Sequence, residues 1–314
     1  MTRVLIALGG NAMTAPDGRA RPEDQIAAIA RAAEPIADLV AAGTEVMLTH
    51  GNGPQVGNLL VKNELAASVV PPVPLDWCVA QTQGTIGFML INALERALAA
   101  RGAQRPVAAL VTRTLVDSSD PGFTRPTKPI GRYLTAAEAQ VLIEHGQLWQ
   151  DRGSRGWRRL VASPEPREVL DAPAAQALLA AGYVVAASGG GGIPVVREPD
   201  GALRGVEAVI DKDLSAALLA HAIGANLLVI ATDVAAVVLG WGSDHAEPLG
   251  AVTVAELREH AAHGEFAEGS MAPKVEAACR FVEAGGDRAV ITSLDRIVDA
   301  VAGVAGTEVT RKVA

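Results

Sequence analysis

Cysteine, lysine and long apolar runs are all scarce in this chain of 314 residues. Two cysteines, Cys78 and Cys279, are too few for a disulfide framework and suit a reducing cytosol. No stretch approaches about 18 apolar residues without Gly, Pro or a charge, so we expect neither a membrane span nor a signal peptide. The chain is nevertheless 49% hydrophobic, which is too apolar for a disordered protein. These features predict a globular, cytoplasmic protein.

Basic residues are outnumbered, with 27 Lys and Arg against 35 Asp and Glu, and the formal net charge is −8. The only local basic cluster lies between Arg152 and Arg159, so non-specific nucleic-acid binding is not expected. Only five of the basic residues are lysines, which indicates a compositional drift toward Arg. The lysines are Lys62, Lys128, Lys212, Lys274 and Lys312.

Short apolar strand patterns alternate with helical patterns, which is typical of a mainly parallel α/β sheet. The pattern predicts a helix over about 26–40 that Pro35 should kink or split, and helices capped by Thr135 and Thr253. The alternation stops between about 112 and 171, which we interpret as an inserted subdomain or lid beside an active site. The other predicted helices are 76–100, 214–222 and 272–284, and the predicted strands are 4–8, 45–49, 107–111, 183–188, 227–232 and 289–292.

Three glycine-rich turns follow predicted strands, at 9–11, 51–53 and 189–192. Glycine lets backbone N–H groups approach an anion closely, although one such turn alone is commonplace. Three of them favour a ligand beyond the carboxyl ends of the strands, where open α/β sheets bind ligands. No P-loop, dinucleotide-binding or protein-kinase motif is present, and Pro54 stands where the second turn would enter a helix. Any phosphate chemistry must therefore use another scaffold.

Three of the five lysines, Lys128, Lys212 and Lys274, are flanked by Pro, Gly or Asp. In a chain that drifts toward Arg, a retained lysine indicates a position where Arg does not serve. A compact ammonium can follow a phosphoryl group between two oxygens, whereas a planar guanidinium does so less well. The alternative is solvated surface, which fits Lys62 and Lys312.

Asp211 and Asp213 flank Lys212. If this segment is extended, the two carboxylates share a face opposite Lys212. If a helix begins here, Asp213 is a candidate cap. Its functional interpretation is an anchor for lysine ammoniums, or a Mg²⁺ ligand through water.

Weaker candidates have simpler explanations. His260 and His263 lack further metal-ligating residues nearby and are interpreted as a solvated helix face. His50 either touches substrate or packs beside its glycine turn, and Cys78 is interpreted as a core residue. Ser188 and Ser270 lack the surroundings of a catalytic nucleophile.

Nine segments spread over nearly the whole chain carry a common pattern: 7–12, 49–57, 74–76, 126–131, 155–159, 188–194, 205–213, 232–234 and 268–274. Together, and in this order, they resemble carbamate kinases of the amino-acid-kinase superfamily. The resemblance implies an αβα sandwich with a central, mainly parallel eight-stranded sheet. It implies a single domain over 1–314, with an acceptor-binding lobe at about 1–200, a nucleotide-binding lobe at about 201–314 and a protruding subdomain at about 117–168.

The resemblance also implies a homodimer that reversibly transfers a phosphoryl group between ATP and carbamate, commonly toward ATP in arginine fermentation. Mg²⁺ would be bound mainly through the nucleotide phosphates. Lys128 and Lys212 would contact the transferring phosphate, Lys274 the nucleotide phosphates, and Asp213 would organise the lysines. The residues implied on the phosphoryl-acceptor side are Gly9, Gly10, Asn11, Gly51, Asn52, Gly53, Gly190 and Gly191, and those implied on the nucleotide side are Asp211, Asp233, Met271, Pro273 and Lys274.

One position favours carbamate over larger acceptors. Acetylglutamate and uridylate kinases resemble each other in placing Lys two residues before the first Gly-Gly pair, where this chain has Ala7. Departures from the carbamate kinase pattern affect the expected adenine side at Ala235, Val238 and Gly240, and the protruding subdomain at Ala162. The alternatives are another acyl-phosphate-forming enzyme of this fold and a silent nucleotide-binding module, although a silent module need not keep all three lysines and Asp213.

Overall fold

The computed structural model describes residues 2–14, 21–267 and 269–312, without the side chains of Asn11 and Ala12. The α-helices are α1 Pro22–Ala41, α2 Gly53–Ala66, α3 Leu75–Ala100, α4 Pro121–Thr124, α5 Ala136–Glu144, α6 Ala172–Ala180, α7 Lys212–Ala222, α8 Val254–Ala262, α9 Met271–Glu283 and α10 Ile297–Val301. The strands are β1 Arg3–Leu8, β2 Glu45–His50, β3 Val107–Ala109, β4 Arg113–Val116, β5 Lys128–Leu134, β6 Leu148–Asp151, β7 Trp157–Val161, β8 Pro166–Val169, β9 Val184–Ala186, β10 Ile193–Arg197, β11 Leu203–Gly205, β12 Leu227–Thr232, β13 Val238–Leu239, β14 Glu247–Pro248, β15 Ala251–Thr253, β16 Arg288–Ser293 and β17 Thr307–Thr310.

The central sheet has eight strands in the order β15-β17-β16-β12-β1-β2-β9-β3, and only the β16–β17 pair is antiparallel. Its two faces bury separate apolar cores because side chains alternate along each strand. On β1, Ile6 packs with residues of α1, α3 and α10. Its neighbours Leu5 and Ala7 pack on the opposite face with residues of α6, α7 and α9. The predicted three-layer αβα sandwich with a mainly parallel sheet is confirmed.

Helix α1 continues through Pro35 from Pro22 to Ala41, so of the two expected effects of this proline the split does not occur, and the kink stays a prediction. Buried side chains on both sides of the proline, among them Ala33 and Ile36, hold the two halves on one core, and this packing offsets the lost backbone hydrogen bond. The strand predicted over 107–111 ends at Ala109.

The strand predicted over 183–188 covers only Val184–Ala186. The chain must turn at Ser188, which has a left-handed backbone with φ 54°. Both predicted capping boxes form, at Thr135 with Glu138 and at Thr253 with Glu256.

The segment without regular alternation contains strands that the sequence patterns do not reveal. Its ends supply β4 and β8 to a second sheet of order β11-β10-β4-β8. Its middle forms a three-stranded sheet of order β5-β7-β6, where Leu134, Ala139 and Trp149 make a small separate core with α5. The boundaries of the protruding subdomain and of the two lobes remain predictions.

Among the described residues, no helix is both long enough and apolar enough to span a bilayer. Cys78 and Cys279 are free thiols buried in separate apolar clusters.

Candidate active site

The candidate site lies where four adjacent parallel strands end. Strands β12, β1, β2 and β9 are neighbours in the sheet and run in the same direction, so their carboxyl ends share one edge. The first two glycine turns and Asp233 follow these ends directly, and the third turn begins at Gly189, with two residues between it and the end of β9. This edge is the usual ligand-binding edge of open α/β sheets.

The glycine turns pack so closely that side chains would obstruct them. A Cβ atom on Gly51 would lie 3.0 Å from the backbone nitrogen of Gly10 and 3.5 Å from Cδ of Lys212. A Cβ atom on Gly190 would overlap the side-chain amide of Asn52, and Gly190 has φ +66°. Asn52 is held there by donating from Nδ2 to Oγ1 of Thr82 at 2.9 Å. Glycine therefore brings the first two turns together and the third against Asn52.

Buried hydrogen bonds hold the left-handed backbone of Ser188. Its N–H donates to Oγ1 of Thr112 at 2.7 Å, and its carbonyl accepts from Oγ1 of Thr49 at 2.8 Å. Its hydroxyl lies 2.8 Å from that of Ser215 on α7. Every polar group of Ser188 thus has a structural partner, which supports the prediction that it is no catalytic nucleophile.

Two of the three singled-out lysines meet at the buried carboxylate of Asp213. Lys212 donates from Nζ to Oδ1 of Asp213 at 2.5 Å, and Lys274 donates to Oδ2 at 3.2 Å. Lys274 also donates to the carbonyl of Ser270, at 3.1 Å. Lys212 begins α7 and Lys274 lies in the first turn of α9, so Asp213 links the starts of two helices.

The third lysine, Lys128, donates from Nζ to Oδ2 of Asp211 at 2.8 Å. Asp211 is the N-cap of α7, because its Oδ1 accepts from the backbone N–H groups of Asp213 and Leu214. The segment is therefore not extended through Lys212, and Asp211 rather than Asp213 is the cap. The idea of two carboxylates sharing one face is wrong, because the helix begins between them and each carboxylate binds different lysines.

Opposing effects act on the pKa of Asp213. Burial raises it, but the ammonium groups of Lys212 and Lys274 lower it by charge and by hydrogen bonding, and the net pKa lies below the usual value. Asp213 is therefore ionised at neutral pH, and a buried carboxylate paired with two cations holds both ammoniums in place.

His50 is buried under the site at the end of β2. Its Nδ1 lies 2.9 Å from the carbonyl of Gly51, and its ring is so close to Gly189 that a Cβ atom there would overlap it. The pKa of His50 is lowered to about 4, mainly by burial; the Gly51 hydrogen bond acts in the opposite direction, and the positive charge of Lys212 adds a smaller lowering effect. His50 is thus a neutral packing residue, the second of the two interpretations that its sequence position allowed.

Two cavities open at this edge of the sheet and share part of their walls. The larger has a volume of about 540 Å³ and the smaller of about 240 Å³. Lys212 and Lys274 line both, whereas Lys128 lines only the smaller. The shared residues are Gly10, Lys212, Gly269, Ser270 and Lys274, so the lysines lie at the junction of two ligand-sized spaces.

The remaining singled-out residues divide between these cavities. Asp233 and Met271 line the larger one together with Gly9, whereas Asp211 and Pro273 line the smaller. Gly191 lines neither cavity; its carbonyl accepts from Oγ1 of Thr114 at 2.7 Å, which holds the backbone of the third glycine turn in place. The side chain of Asn11 lies outside the described residues. The residues of the smaller cavity also include Gly51, Asn52, Gly53 and Gly190.

Apart from Val238, the apolar walls of the larger cavity were not singled out from the sequence. Val238, Trp241, Phe266 and Leu294 line it. Trp241 is 71% exposed, which is unusual for the largest apolar side chain. A tryptophan between two glycines, soon after a strand that ends at the ligand edge, is a sequence signal that could have found it.

No group of three His, Cys, Asp or Glu side chains able to hold a metal ion occurs in the part of the chain that is described. His260 lies instead against Glu265, with its Nδ1 3.2 Å from Oε1. Asp233 accepts from Oγ1 of Thr232 through Oδ1.

Comparison with known proteins places this geometry in a family. Residues 2–293 match the model of the amino acid kinase family. The chain is 46% identical to carbamate kinase of Thermococcus kodakarensis over 99% of this chain and 100% of that protein. It is 43% identical to carbamate kinase of Pyrococcus furiosus over 98% of each. The solved structure of carbamate kinase from Giardia lamblia bound to AMP-PNP matches with a TM-score of 0.92 at 39% identity, covering 98% of each chain.

Proposed function

Because the chain belongs to the amino acid kinase family and matches carbamate kinases over their whole length, we propose that it catalyses ATP + carbamate = ADP + carbamoyl phosphate. It is an ATP-dependent phosphotransferase with a carboxyl-type acceptor. The observation that carries this proposal is the meeting of Lys128, Lys212 and Lys274 at two carboxylates, beside two adjoining cavities.

The sizes and walls of the cavities support one assignment of substrates. The larger cavity has apolar walls around Trp241 and Phe266 and suits the nucleotide, since a flat base can lie against apolar and aromatic side chains. The smaller cavity has glycine turns, Asn52 and Lys128 and suits carbamoyl phosphate. In this assignment, Asp211 and Pro273 belong to the acceptor side rather than to the nucleotide side.

The lysines supply charge where the phosphoryl group passes. In the ATP-forming direction, a terminal phosphate oxygen of ADP attacks phosphorus, the bond between phosphorus and the carbamoyl oxygen breaks, and carbamate leaves with the bonding electrons. Lys212 lines both cavities and accompanies the phosphoryl group between them. Lys274 holds the nucleotide phosphates and Lys128 the carbamoyl phosphate. Such a reaction needs positioning and charge stabilisation rather than a strong base.

Mg²⁺ fits this site as a companion of the nucleotide. Both oxygens of Asp213 and both of Asp211 already accept hydrogen bonds. Asp233, which follows β12 and lines the larger cavity, is therefore the carboxylate that we propose to face the ion. When bound through nucleotide phosphates, the ion neutralises part of their negative charge.

Several further properties are part of the proposal and rest on the family resemblance. They are a homodimer, a cytoplasmic location, and flux toward ATP in arginine catabolism. Of the three departures at Ala235, Val238 and Gly240, Val238 lines the larger cavity, so this one acts on the nucleotide side.

The test is ATP formation from ADP and carbamoyl phosphate, followed by a coupled hexokinase assay, with acetyl phosphate as the competing phosphoryl donor. We expect ATP from carbamoyl phosphate at a much higher kcat/KM than from acetyl phosphate. Preference for acetyl phosphate would favour a different acceptor, and nucleotide binding without turnover on either donor would favour a silent module.

A further inference from the structure

Asp211 uses its two carboxylate oxygens for two different purposes. Oδ1 caps α7 by accepting from Asp213 N–H at 2.9 Å and from Leu214 N–H at 3.3 Å. Oδ2 accepts from Nζ of Lys128 at 2.8 Å. One carboxylate therefore connects the helix that carries Lys212 to a lysine 83 residues away on β5.

Lys128 can bind an anion while it stays paired with Asp211. Among the described residues, Asp211 is the only acidic side chain paired with Lys128. An ammonium has three N–H donors, so two remain after Asp211 is satisfied. Both residues line the smaller cavity, and Lys128 can therefore contact a phosphate there without leaving Asp211.

The backbone around this pair is tied to the same elements. Val209 donates its N–H to the carbonyl of Ala162 at 3.0 Å, just after β7. Strand β5 approaches α2 so closely that a Cβ atom on Gly57 would lie 3.3 Å from Cα of Gly131. The sheet that carries Lys128 is thus fixed on both sides, and Asp211 fixes the end of the side chain.

We propose that Asp211 is a positioning residue that holds Lys128 over the smaller cavity for the phosphate of carbamoyl phosphate. This inference rests on the proposed function. Asp211 acts through Lys128 and not through the nucleotide, because the larger cavity is not lined by it.

The test is Asp211→Asn, because asparagine caps helices as well as aspartate does but cannot form the ion pair. We expect the thermal unfolding midpoint to stay near that of the wild type. The kcat/KM for carbamoyl phosphate should fall roughly ten- to a hundredfold because the ammonium is no longer held in place, while the KM for ADP stays within about twofold. Asp211→Ser keeps a cap as well and should behave in the same way.

The matched control is Asp171→Asn. Asp171 also lies at the start of a helix, α6, and forms an ion pair, with Arg113, but it lines neither cavity. We expect wild-type activity from this variant.

A double-variant cycle separates positioning from a general structural role. In a Lys128→Met background, Asp211→Asn should have almost no further effect on kcat/KM, since the residue through which it acts is gone. An equal loss in both backgrounds would overturn the inference, as would a rise in the KM for ADP or an increase in activity. These outcomes leave the proposed function standing, whereas a wild-type protein that makes no ATP from carbamoyl phosphate would overturn both.

Discussion

Lys212→Ala tests the centre of the site most directly. Lys212 lies at the junction of the two cavities and is only 13% exposed in its side chain. Removing a preorganised cation that acts on the transferring group costs about 3 kcal/mol of transition-state stabilisation. We therefore expect kcat for ATP formation to fall about a hundredfold or more.

Lys212→Ala should also lower the stability of the folded protein, because it removes a partner of Asp213. Asp213 is buried, and among the described residues Lys274, 3.2 Å away, would be its one remaining ion-pair partner. Loss of one charged hydrogen bond to a buried carboxylate costs about 1.5–3 kcal/mol, so the variant should fold at neutral pH with reduced stability in urea. Its acid sensitivity should change as well, because Lys212 is the largest of the effects that lower the pKa of Asp213.

The direction of that pH effect follows from linkage. A carboxyl group with a lowered folded-state pKa stabilises the protein above its unfolded pKa of 3.8, and this stabilisation is lost as the pH falls through the folded value. Without Lys212 the folded pKa rises, so acid unfolding should begin at a higher pH.

The assays are coupled ATP formation and urea unfolding monitored by circular dichroism between pH 3 and pH 7. Lys62→Ala is the control, because Lys62 is exposed on α2 and lines neither cavity; both its activity and its stability should match the wild type. Wild-type turnover in Lys212→Ala would refute the catalytic reasoning, and unchanged acid unfolding would refute the account of Asp213.

Three further predictions concern the surroundings of the lysines. Gly190→Ala should lower both activity and thermal stability, because the new Cβ atom pushes Asn52 away. The control is Gly201→Ala, where φ is +87° but no atom lies within 4 Å of the Cβ position; it should lose only about 1 kcal/mol of stability and no activity. Enzyme kinetics and calorimetry measure both effects. Replacing His50 by Gln should reduce the dependence of folding stability on pH. In the wild type, His50 gains a proton near pH 6.5 when the chain is unfolded but only near pH 4 when it is folded. The free energy of unfolding of the wild type, measured in urea, should therefore drop by up to about 3 kcal/mol as the pH falls across that window, while that of the variant changes less. Trp241→Ala should raise the KM for ADP about tenfold with little change in kcat, because loss of a face for the base weakens nucleotide binding equally in the ground and transition states.

The sequence patterns predicted the structure best where it depends on the residues of one strand or helix alone. Strand β12 was predicted with its observed bounds, Leu227–Thr232, because a fully buried parallel strand is one uninterrupted apolar run. The glycine turns were recognisable because they follow such runs. Their meeting at one edge follows from the parallel direction of the strands.

The patterns failed where pairing between distant segments decides the structure. Strands β4, β8, β10 and β11 are three to five residues long and combine residues of the segment around 112–171 with later ones. Short, partly exposed strands carry little periodic signal of their own. The roles of Asp211 and Asp213 were ambiguous for a related reason, because one residue of helix boundary decides which carboxylate caps the helix and which is buried between lysines.

The lysine and carboxylate cluster also has a nearly balanced charge. Three ammoniums, on Lys128, Lys212 and Lys274, lie against the two carboxylates of Asp211 and Asp213. Three positive and two negative charges leave the cluster with a formal charge of about +1. A cavity with so small an excess attracts a phosphate dianion only weakly in water containing salt. The cluster is therefore better suited to passing a phosphoryl group from one bound molecule to another than to retaining either anion, and free inorganic phosphate should compete poorly for it.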